Sequence, residues 1–375
     1  MVKRTEQFFV VTPPGFESIC AAELIAVGLE PQGRVRGGVK FAGGLRELYL
    51  ANLHLRCASR VLVRFGEVAA RDFPTLFQRL ARLPWGRYVK PGGSCRIRVS
   101  SAASRLIHTG RLAETCLAAI SKALGEPSNE AAEGQTIFLR MQDDRCQVSI
   151  DSSGAHLHRR GYRQAVAHAP LRENLAAACL LACGYDGSRP LIDLMTGSGT
   201  FAIEAALIAM RRAPGRNRVF AFMDWPKYRP GLWNQLLREA EQHERAELEQ
   251  PILAVDSNPK ALAAACDNAG QLGLENLIRF ECREMQSLTP QGDTGLLICN
   301  PPYGERLGKN ATLEALYHDL QQVCVQRFSG WGAGIVCPEG ALSALLGQHF
   351  QPELRFSNGG LDVALLRKRP PGLSR

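Results

Sequence analysis

Residues 191–206 read LIDLMTGSGTFAIEAA, which is an apolar strand, a glycine turn and the start of a helix. Gly197 and Gly199 let the backbone pass close to a ligand, and the helix N-terminus that follows offers unpaired N–H groups. The run GSGTFA also fits the loose dinucleotide pattern G-x-G-x-x-G/A. The motif predicts a nucleoside-cofactor site and leaves NAD and S-adenosylmethionine both open. A tight strand–helix turn without a ligand is the alternative.

Apolar strands alternate with helical segments from this motif to the C-terminus, which predicts a parallel, doubly wound α/β sheet of the Rossmann-like kind. The predicted strands are 191–195, 252–256, 278–282, 295–300, 333–337 and 362–366. A helix is predicted over 170–184, with Pro170 in its first turn. Residues 211–250 form a long insertion rich in Arg, Trp and Glu. We assign residues 166–375 to this domain.

A second motif places an acid at the end of a strand, in ILAVDSNPKALAAACDNAG (252–270). Asp256 can accept hydrogen bonds from both hydroxyls of a ribose, and Pro259 then opens a helix. Asp224 competes for this role because it lies nearer to the glycine turn in sequence. We favour Asp256, because its strand leads directly into a helix whereas Asp224 opens a loop. Capping of that helix by residues 256–258 is the structural alternative.

A third motif, LLICNPPYGERLG (296–308), ends a buried strand in Asn-Pro-Pro-Tyr. The two prolines fix a rigid backbone at the strand's carboxyl end, beside the predicted cofactor crevice. The Asn300 amide oxygen and the Pro301 carbonyl are two acceptors for an exocyclic amino group, and Tyr303 offers a ring on which a flipped base can stack. The motif therefore predicts an amine-methylation site. A proline-rich strand exit is the alternative.

The N-terminal part mixes short strands and helices. The order β-α-β-β-α-β over residues 1–68 fits a ferredoxin-like unit, and a second small α+β unit is predicted over 69–154. Residues 155–165 link these units to the α/β domain.

The net charge of +9 lies entirely in the N-terminal part. Residues 1–160 contain 23 Lys+Arg and 14 Asp+Glu, whereas residues 161–375 contain 22 of each. Because arginine predominates and binds phosphate through a planar fork, this half predicts a nucleic-acid footprint, with an ordinary basic surface as the alternative. The arginines predicted to contact RNA are Arg96, Arg98, Arg105, Arg159 and Arg160.

Cysteine and hydropathy patterns argue against other classes. The twelve cysteines form no C-x-x-C pair and are expected to be reduced, buried residues. His156 and His158 could mimic a metal pair, but no third ligand lies nearby in sequence, so we predict no metal site. No apolar run reaches ~18 residues and the N-terminus lacks a signal-peptide core, so we expect a cytoplasmic protein with no membrane partner.

These motifs, in this order, resemble class I S-adenosylmethionine-dependent methyltransferases, and most closely the THUMP-domain RNA methyltransferases that make N2-methylguanine in 23S ribosomal RNA. The resemblance rests on LHRRGYR (157–163), HAPLRENLAA (168–177), DLMTGSGTFAIEAA (193–206), DWPKYRPGLW (224–233) and NPPYGERLG (300–308). It implies that residues 69–154 are the RNA-binding THUMP domain and that residues 166–375 are the methyltransferase domain.

The resemblance also implies roles for single residues. Cofactor-binding residues would be Asp193 near the ammonium, Gly197, Gly199 and Thr200 along the methionine end, Asp256 at the ribose and Glu284 at the adenine amine, together with Thr196, Ser257 and Asn300. Catalytic residues would be Asn300, Pro301, Pro302 and Tyr303. Thr196 departs from the cysteine common at this position.

We therefore predict methyl transfer from S-adenosylmethionine to the N2 amine of a guanine in RNA, with 23S ribosomal RNA favoured. A transfer-RNA guanine-N2 methyltransferase and an N6-adenine methyltransferase of DNA or RNA share the same chemistry. A binding module without catalysis and a dehydrogenase are the alternatives from other classes.

Overall fold

A computed structural model of the chain describes residues 5–164, 171–303 and 310–371. The chain divides into two compact units. The first comprises the described parts of Met1–Thr12, Glu23–Leu157 and Arg218–Arg238, and the second those of Pro13–Ala22, His158–Asn217 and Glu239–Arg375. None of the described helices is long and apolar enough to cross a membrane.

The N-terminal elements follow the predicted alternation. They are β1 (Glu6–Val11), α1 (Glu17–Ala26), β2 (Pro31–Val35), β3 (Gly38–Gly43), α2 (Leu45–His54), β4 (Arg60–Ala69), α3 (Phe73–Ala81), β5 (Cys95–Ala102), α4 (Thr109–Leu124), β6 (Gln135–Gln142) and β7 (Arg145–Asp151). Capping fits the sequence: the Asp72 side chain accepts a hydrogen bond from the Thr75 N–H, and Gly125 ends α4 with a left-handed φ of 76°.

One seven-stranded sheet runs through the first unit in the order β2-β3-β1-β4-β7-β6-β5. The two successive units predicted from the sequence contribute the two halves of this sheet, β1–β4 and β5–β7, which are joined where β4 pairs with β7. Alternate residues such as Val63, Ile150 and Ile137 are fully or almost fully buried, whereas the intervening residues Arg140 and Arg98 are exposed. This period of two leaves the sheet with one apolar and one polar face.

The second unit contains the α/β elements. They are α5 (Glu173–Ala182), β8 (Leu191–Asp193), α6 (Thr200–Ala209), β9 (Ile252–Asp256), α8 (Pro259–Gly270), β10 (Ile278–Cys282), β11 (Leu296–Cys299), α9 (Asn310–Gln322), β12 (Gly332–Cys337), α10 (Ala341–Leu345), β13 (Gln351–Asn358) and β14 (Leu361–Lys368). A further helix, α7 (Pro230–Gln242), lies in the insertion, and its residues 230–238 belong to the first unit. The first turn predicted at Pro170 lies outside the described residues.

The second sheet has the order β10-β9-β8-β11-β12-β14-β13. The predicted α/β class and the parallel pairing of the first five strands are confirmed. The expectation of an entirely parallel sheet is wrong at one edge, because β14 pairs antiparallel with β12 and forms a hairpin with β13, a strand the sequence analysis did not identify. The turn Gly359–Gly360, with both φ values positive, makes that hairpin.

The middle of the insertion, residues 218–238, belongs to the first unit. The Trp225 indole N–H donates to the Gln135 side-chain oxygen at 2.7 Å, and the Phe222 ring stacks on Tyr49 with centroids 4.4 Å apart. The Arg229 backbone N–H donates to the Tyr49 hydroxyl at 3.1 Å. Buried aromatic rings that also satisfy their polar atoms explain why this segment packs against the N-terminal sheet.

Candidate active site

Three polar side chains meet at the carboxyl edge of the second sheet. Asp193 ends β8 and pairs with Ile298 of β11 and Ala254 of β9, so β8 lies between the other two strands. Asp256 ends β9, and Asn300 follows directly after β11. The structure thus brings together the acids and the amide that the sequence analysis selected, at the edge where sheets of this kind bind ligands.

The glycine turn is shaped by two left-handed residues. Gly197 has a φ of 54° and Gly199 a φ of 84°. A Cβ on Gly199 would lie 3.0 Å from the Ala265 Cβ, whereas a Cβ on Gly197 would meet nothing within 4 Å. Gly199 therefore allows α6 to pack closely, and Gly197 leaves open space at the loop.

Asp256 holds this loop. Its Oδ2 accepts the Gly197 N–H at 2.9 Å and its Oδ1 accepts the Asn258 N–H at 2.9 Å. The remaining lone pairs of both oxygens can still accept ribose hydroxyls. Asp224, the competitor for this role, lies in the segment that belongs to the first unit.

The residues predicted beside Asp256 are exposed. Ser257 follows the end of β9, and Glu284 precedes a short 3₁₀ turn at Met285–Ser287. The Arg283 N–H donates to the Asp256 carbonyl at 3.2 Å, which holds the loop bearing Glu284 against the end of β9.

Asp193 is fully buried, and burial raises its pKa to about 7. The Thr196 hydroxyl donates to Asp193 Oδ2 at 2.7 Å and opposes that rise in pKa, while the charge of Asp256 adds to it. Within the described structure Asp193 Oδ1 makes no hydrogen bond of ordinary geometry, although the backbone groups of Met195 and Ala202 lie close enough to the carboxylate to lower its pKa as well. A buried carboxylate oxygen without a donor suits a cationic ligand group.

The Asn-Pro-Pro-Tyr segment places another unpaired acceptor at the same edge. Asn300 Oδ1 is buried and, among the residues described, accepts no hydrogen bond. Pro301 is buried and Pro302 is half-buried. Residues 304–308 of the motif lie outside the described residues.

Tyr303 differs from its predicted role. Its side chain is 0% exposed, and its hydroxyl accepts a hydrogen bond from the Asn358 amide at 2.8 Å. Asn358 ends β13, the strand that the sequence analysis missed. The prediction of a ring open to a stacked base is therefore corrected. The ring is buried, and its hydroxyl connects the Asn-Pro-Pro-Tyr segment to the β13–β14 hairpin.

Arg160 and Tyr162, which precede the predicted methyltransferase domain, contact helix α6. Arg160 is buried and forms an ion pair with Glu204 of α6, with Nε 3.5 Å from Oε1. The Tyr162 hydroxyl donates to the same carboxylate oxygen at 3.3 Å. The prediction that Arg160 contacts RNA phosphate is wrong, because the protein interior already neutralises its charge.

Two further contacts in this segment were not predicted. Arg163 Nη2 donates to the Thr200 hydroxyl at 3.0 Å, and the Gln164 N–H donates to the Asn268 side-chain oxygen at 3.0 Å. Asn268 in turn donates to the Ser198 carbonyl at 3.0 Å. Arg163, the last residue of LHRRGYR, and the adjacent Gln164 therefore hold the glycine turn in place, a role that only these long-range contacts reveal.

The remaining arginines predicted to contact RNA lie closer to solvent. Arg98, Arg105 and Arg159 are exposed, and Arg96 is half-buried with Nη1 3.4 Å from the Ala132 carbonyl. All twelve cysteines are free, and ten are buried as expected, whereas Cys266 is half-buried and Cys282 is exposed. No group of three His, Cys, Asp or Glu that could hold a metal ion occurs in the described ranges.

The site fits S-adenosylmethionine on its own chemistry. The unpaired oxygen of Asp193 suits the ammonium group, Asp256 suits the ribose, and the open space at Gly197 accommodates a close ligand. With an acceptor amide on the adjoining strand, this fold and site are those of a class I S-adenosylmethionine-dependent methyltransferase.

Comparison with known proteins identifies the family. Residues 160–363 match the family model described as RMKL-like, methyltransferase domain, and residues 7–62 match the RlmL ferredoxin-like domain. The chain belongs to this methyltransferase family. The NAD alternative left open by the glycine motif is thereby closed.

Curated relatives align along nearly the whole chain. A Synechocystis protein named as a candidate RNA methyltransferase is 33% identical, covering 97% of this chain and 96% of its own length. Ribosomal RNA large subunit methyltransferase K/L of Syntrophotalea carbinolica is 36% identical, covering 96% of this chain and 53% of its own length. The chain therefore spans about half the length of the K/L relatives that it matches.

Solved structures share the fold. SMU.472, named as a candidate methyltransferase and crystallised with SAH, has a TM-score of 0.89 at 30% identity, and the alignment covers 100% of both chains. A Listeria monocytogenes protein, named as a predicted N6-adenine-specific DNA methylase, has a TM-score of 0.88 at 28% identity and covers 98% of this chain and 97% of its own.

Proposed function

We propose that this chain methylates the exocyclic N2 amine of a guanine in RNA, and that its substrate is 23S ribosomal RNA. The observation that carries the proposal is the buried Oδ1 of Asn300, which has no partner among the described residues and directly follows β11, the strand next to that of Asp193. An acceptor without a donor, next to the cofactor site, fits an amino group that brings its own hydrogens.

The chemistry needs two acceptors and correct positioning. An aromatic amine is a weak nucleophile because its lone pair is delocalised into the ring. The Asn300 oxygen and the Pro301 carbonyl would each accept one N–H, which favours the pyramidal amine and aims its lone pair. The bound cofactor supplies an electrophilic methyl group, and orientation against that group provides much of the rate.

The polar face of the first sheet supports RNA as the substrate. Arg98, Phe138, Ser149 and Arg64 form one continuous row across β5, β6, β7 and β4. Arg98 and Arg140 are exposed, and Phe138 is half-buried. Cations alternating with an aromatic ring suit single-stranded RNA, which offers both phosphates and base faces.

Arg64 lies on the same face and close to a second cation, Arg140. Its Nη1 donates to the Ser149 hydroxyl at 3.0 Å, and its guanidinium lies 4.1 Å from the centre of the Phe9 ring. Burial and the nearby charge of Arg140 lower the pKa of Arg64 to about 10. Phosphate bound here would relieve the repulsion between the two arginines. We propose this face as part of the RNA-binding surface; Arg98, Phe138 and Arg140 lie within the THUMP unit predicted at residues 69–154, and Arg64 lies on the neighbouring strand β4.

The choice of ribosomal RNA follows the names of the K/L relatives. The name of the Listeria structure keeps N6-adenine as the rival product. We also propose that the protein acts in the cytoplasm, where this RNA is made.

The test is methyl transfer by the purified chain with radiolabelled cofactor, supplied separately with protein-free 23S RNA, transfer RNA and DNA. Each product is digested and its methylated nucleoside identified by mass spectrometry. N2-methylguanosine from 23S RNA supports the proposal. N2-methylguanosine from transfer RNA alone, or N6-methyladenine from any substrate, would replace it with the corresponding rival, and cofactor binding without any transfer would favour a binding module.

A further inference from the structure

Arg163 is held by three hydrogen bonds and retains one unused donor group. Its Nε donates to Glu173 Oε1 at 3.0 Å, and its Nη2 donates to the Leu171 carbonyl and the Thr200 hydroxyl, each at 3.0 Å. Nη1 is buried and has no hydrogen-bond partner within the described residues. A guanidinium carries five N–H groups, so two of them are left without an acceptor.

The position of Arg163 matters as much as the unused donor. Thr200 is the first residue of α6, directly after the left-handed Gly199 of the cofactor turn. Glu173 already pairs with the charge of Arg163, but the unused Nη1 group places two N–H donors beside a helix N-terminus, and both features favour an anion. The turn itself, residues 194–200, contains no Lys or Arg.

The cofactor brings such an anion. Its amino-acid end carries an ammonium and a carboxylate on the same carbon atom. Asp193 at the end of β8 suits the ammonium, so the carboxylate must find donors within a few ångströms of that point. The predicted site residues include carboxylates for the cation but no cationic side chain for the carboxylate.

We propose that Arg163 binds the carboxylate of S-adenosylmethionine through Nη1. Glu173 and Leu171 fix the guanidinium plane, and Thr200 ties it to the start of α6. Arg163 then both stabilises the glycine turn, through Thr200, and binds the amino-acid end of the cofactor. This inference rests on the cofactor class alone and is independent of which RNA is methylated.

The test measures binding by titration calorimetry without RNA, using S-adenosylhomocysteine and its decarboxylated analogue, which differ only by the carboxylate. The variant is Arg163→Gln, and the matched control is Arg172→Gln, which removes an exposed arginine at the start of α5. Thermal melting checks that both variants are folded.

We expect Arg163→Gln to weaken S-adenosylhomocysteine binding roughly 10- to 100-fold, as for loss of a charge-assisted hydrogen bond. The analogue, titrated to millimolar concentration, should bind the variant and the unaltered chain within about threefold of each other. Arg172→Gln should change neither affinity. An equal loss for both ligands would assign Arg163 a purely structural role, and an unchanged affinity for S-adenosylhomocysteine would remove it from the site; either result overturns the proposal.

Discussion

The carboxyl edge of the second sheet and the polar face of the first sheet use charge in opposite ways. At the edge, polar atoms are buried, and Asp193 Oδ1 and Asn300 Oδ1 each have no hydrogen-bond partner in the described structure. On the face, Arg98 and Arg140 are exposed on neighbouring strands. A buried polar group can contribute a large interaction free energy to a ligand by itself, whereas an exposed cation contributes little and several are needed together. The carboxyl edge therefore suits a small ligand with defined donor groups, and the polar face of the first sheet suits a polyanion.

Arginine substitutions give the sharpest contrast between burial and exposure. Arg160→Gln should destabilise the chain by about 3–5 kcal/mol, because it leaves Glu204 charged and buried without its partner. The exposed Arg98→Gln should change stability by less than ~0.5 kcal/mol. Urea unfolding of both variants measures the difference. Similar stabilities for the two variants would contradict the assigned burial of Arg160. The double variant Arg160→Met with Glu204→Leu should recover much of the free energy of unfolding that Arg160→Gln loses.

Asn300→Ala tests the edge as a catalytic site. We expect methyl transfer to fall roughly 10²–10³-fold, as when one preorganised hydrogen-bonding group is removed from a transition state. Binding of S-adenosylhomocysteine should stay within about threefold, because the amide is assigned mainly to the target amine. Single-turnover kinetics and calorimetry separate the two effects. Full activity in this variant would end the assignment.

The raised pKa of Asp193 predicts a pH dependence. Its pKa in the folded chain is about 7, above the usual value of an unfolded aspartate, so folding favours the protonated form. The ligand-free chain should therefore lose stability as the pH rises through the window from about 4 to 7.

Ligand binding should respond in the opposite direction, because an ammonium pairs with the carboxylate. The affinity for S-adenosylhomocysteine should fall up to about tenfold per pH unit below 7. Asp193→Asn should flatten that profile between pH 5 and 8. A profile unchanged by this substitution would show that another group controls binding.

Alanine substitutions at the two glycines of the turn should lower stability by smaller and unequal amounts. Gly199→Ala should destabilise the chain by about 1–3 kcal/mol, because it combines a left-handed residue with a Cβ 3.0 Å from Ala265. Gly197→Ala has space and should cost only about 1 kcal/mol in stability. Thermal melting ranks them, and the reverse order would contradict the packing of α6 at this turn.

The exposed face should show the smallest and most additive effects. Arg98→Gln and Arg140→Gln should each weaken RNA binding only a few-fold and reduce the slope of log affinity against log salt by about 0.7. Cofactor affinity should not change. Filter binding at several salt concentrations measures both variants, and an affinity independent of salt would remove this face from the RNA-binding surface.

The carboxyl edge of the second sheet is predictable from the sequence because its polar residues follow directly after apolar strands. Asp193, Asp256 and Asn300 each follow an apolar strand, and parallel strands bring such residues to one side of a sheet. The burial of Arg160 against Glu204 is not predictable in this way, because no local sequence pattern indicates that these two residues contact each other in the folded chain.

Long-range contacts account for the other differences. Trp225 and Phe222 bind the insertion to the first unit, which no local pattern in DWPKYRPGLW indicates. The bond from Asn358 to Tyr303 depends on an antiparallel hairpin that joins an otherwise parallel sheet edge. In both cases the decisive partner is more than 50 residues away in the sequence.

The central claim is that this chain methylates guanine N2 in 23S ribosomal RNA. Nucleoside mass spectrometry on ribosomal and transfer RNA, from the source organism and from a strain lacking this gene, tests it most directly. The account predicts the loss of one N2-methylguanosine from 23S RNA, restored by the unaltered gene but not by Asn300→Ala. Unchanged 23S RNA together with a lost methyl group in transfer RNA, or a lost N6-methyladenine, would contradict it.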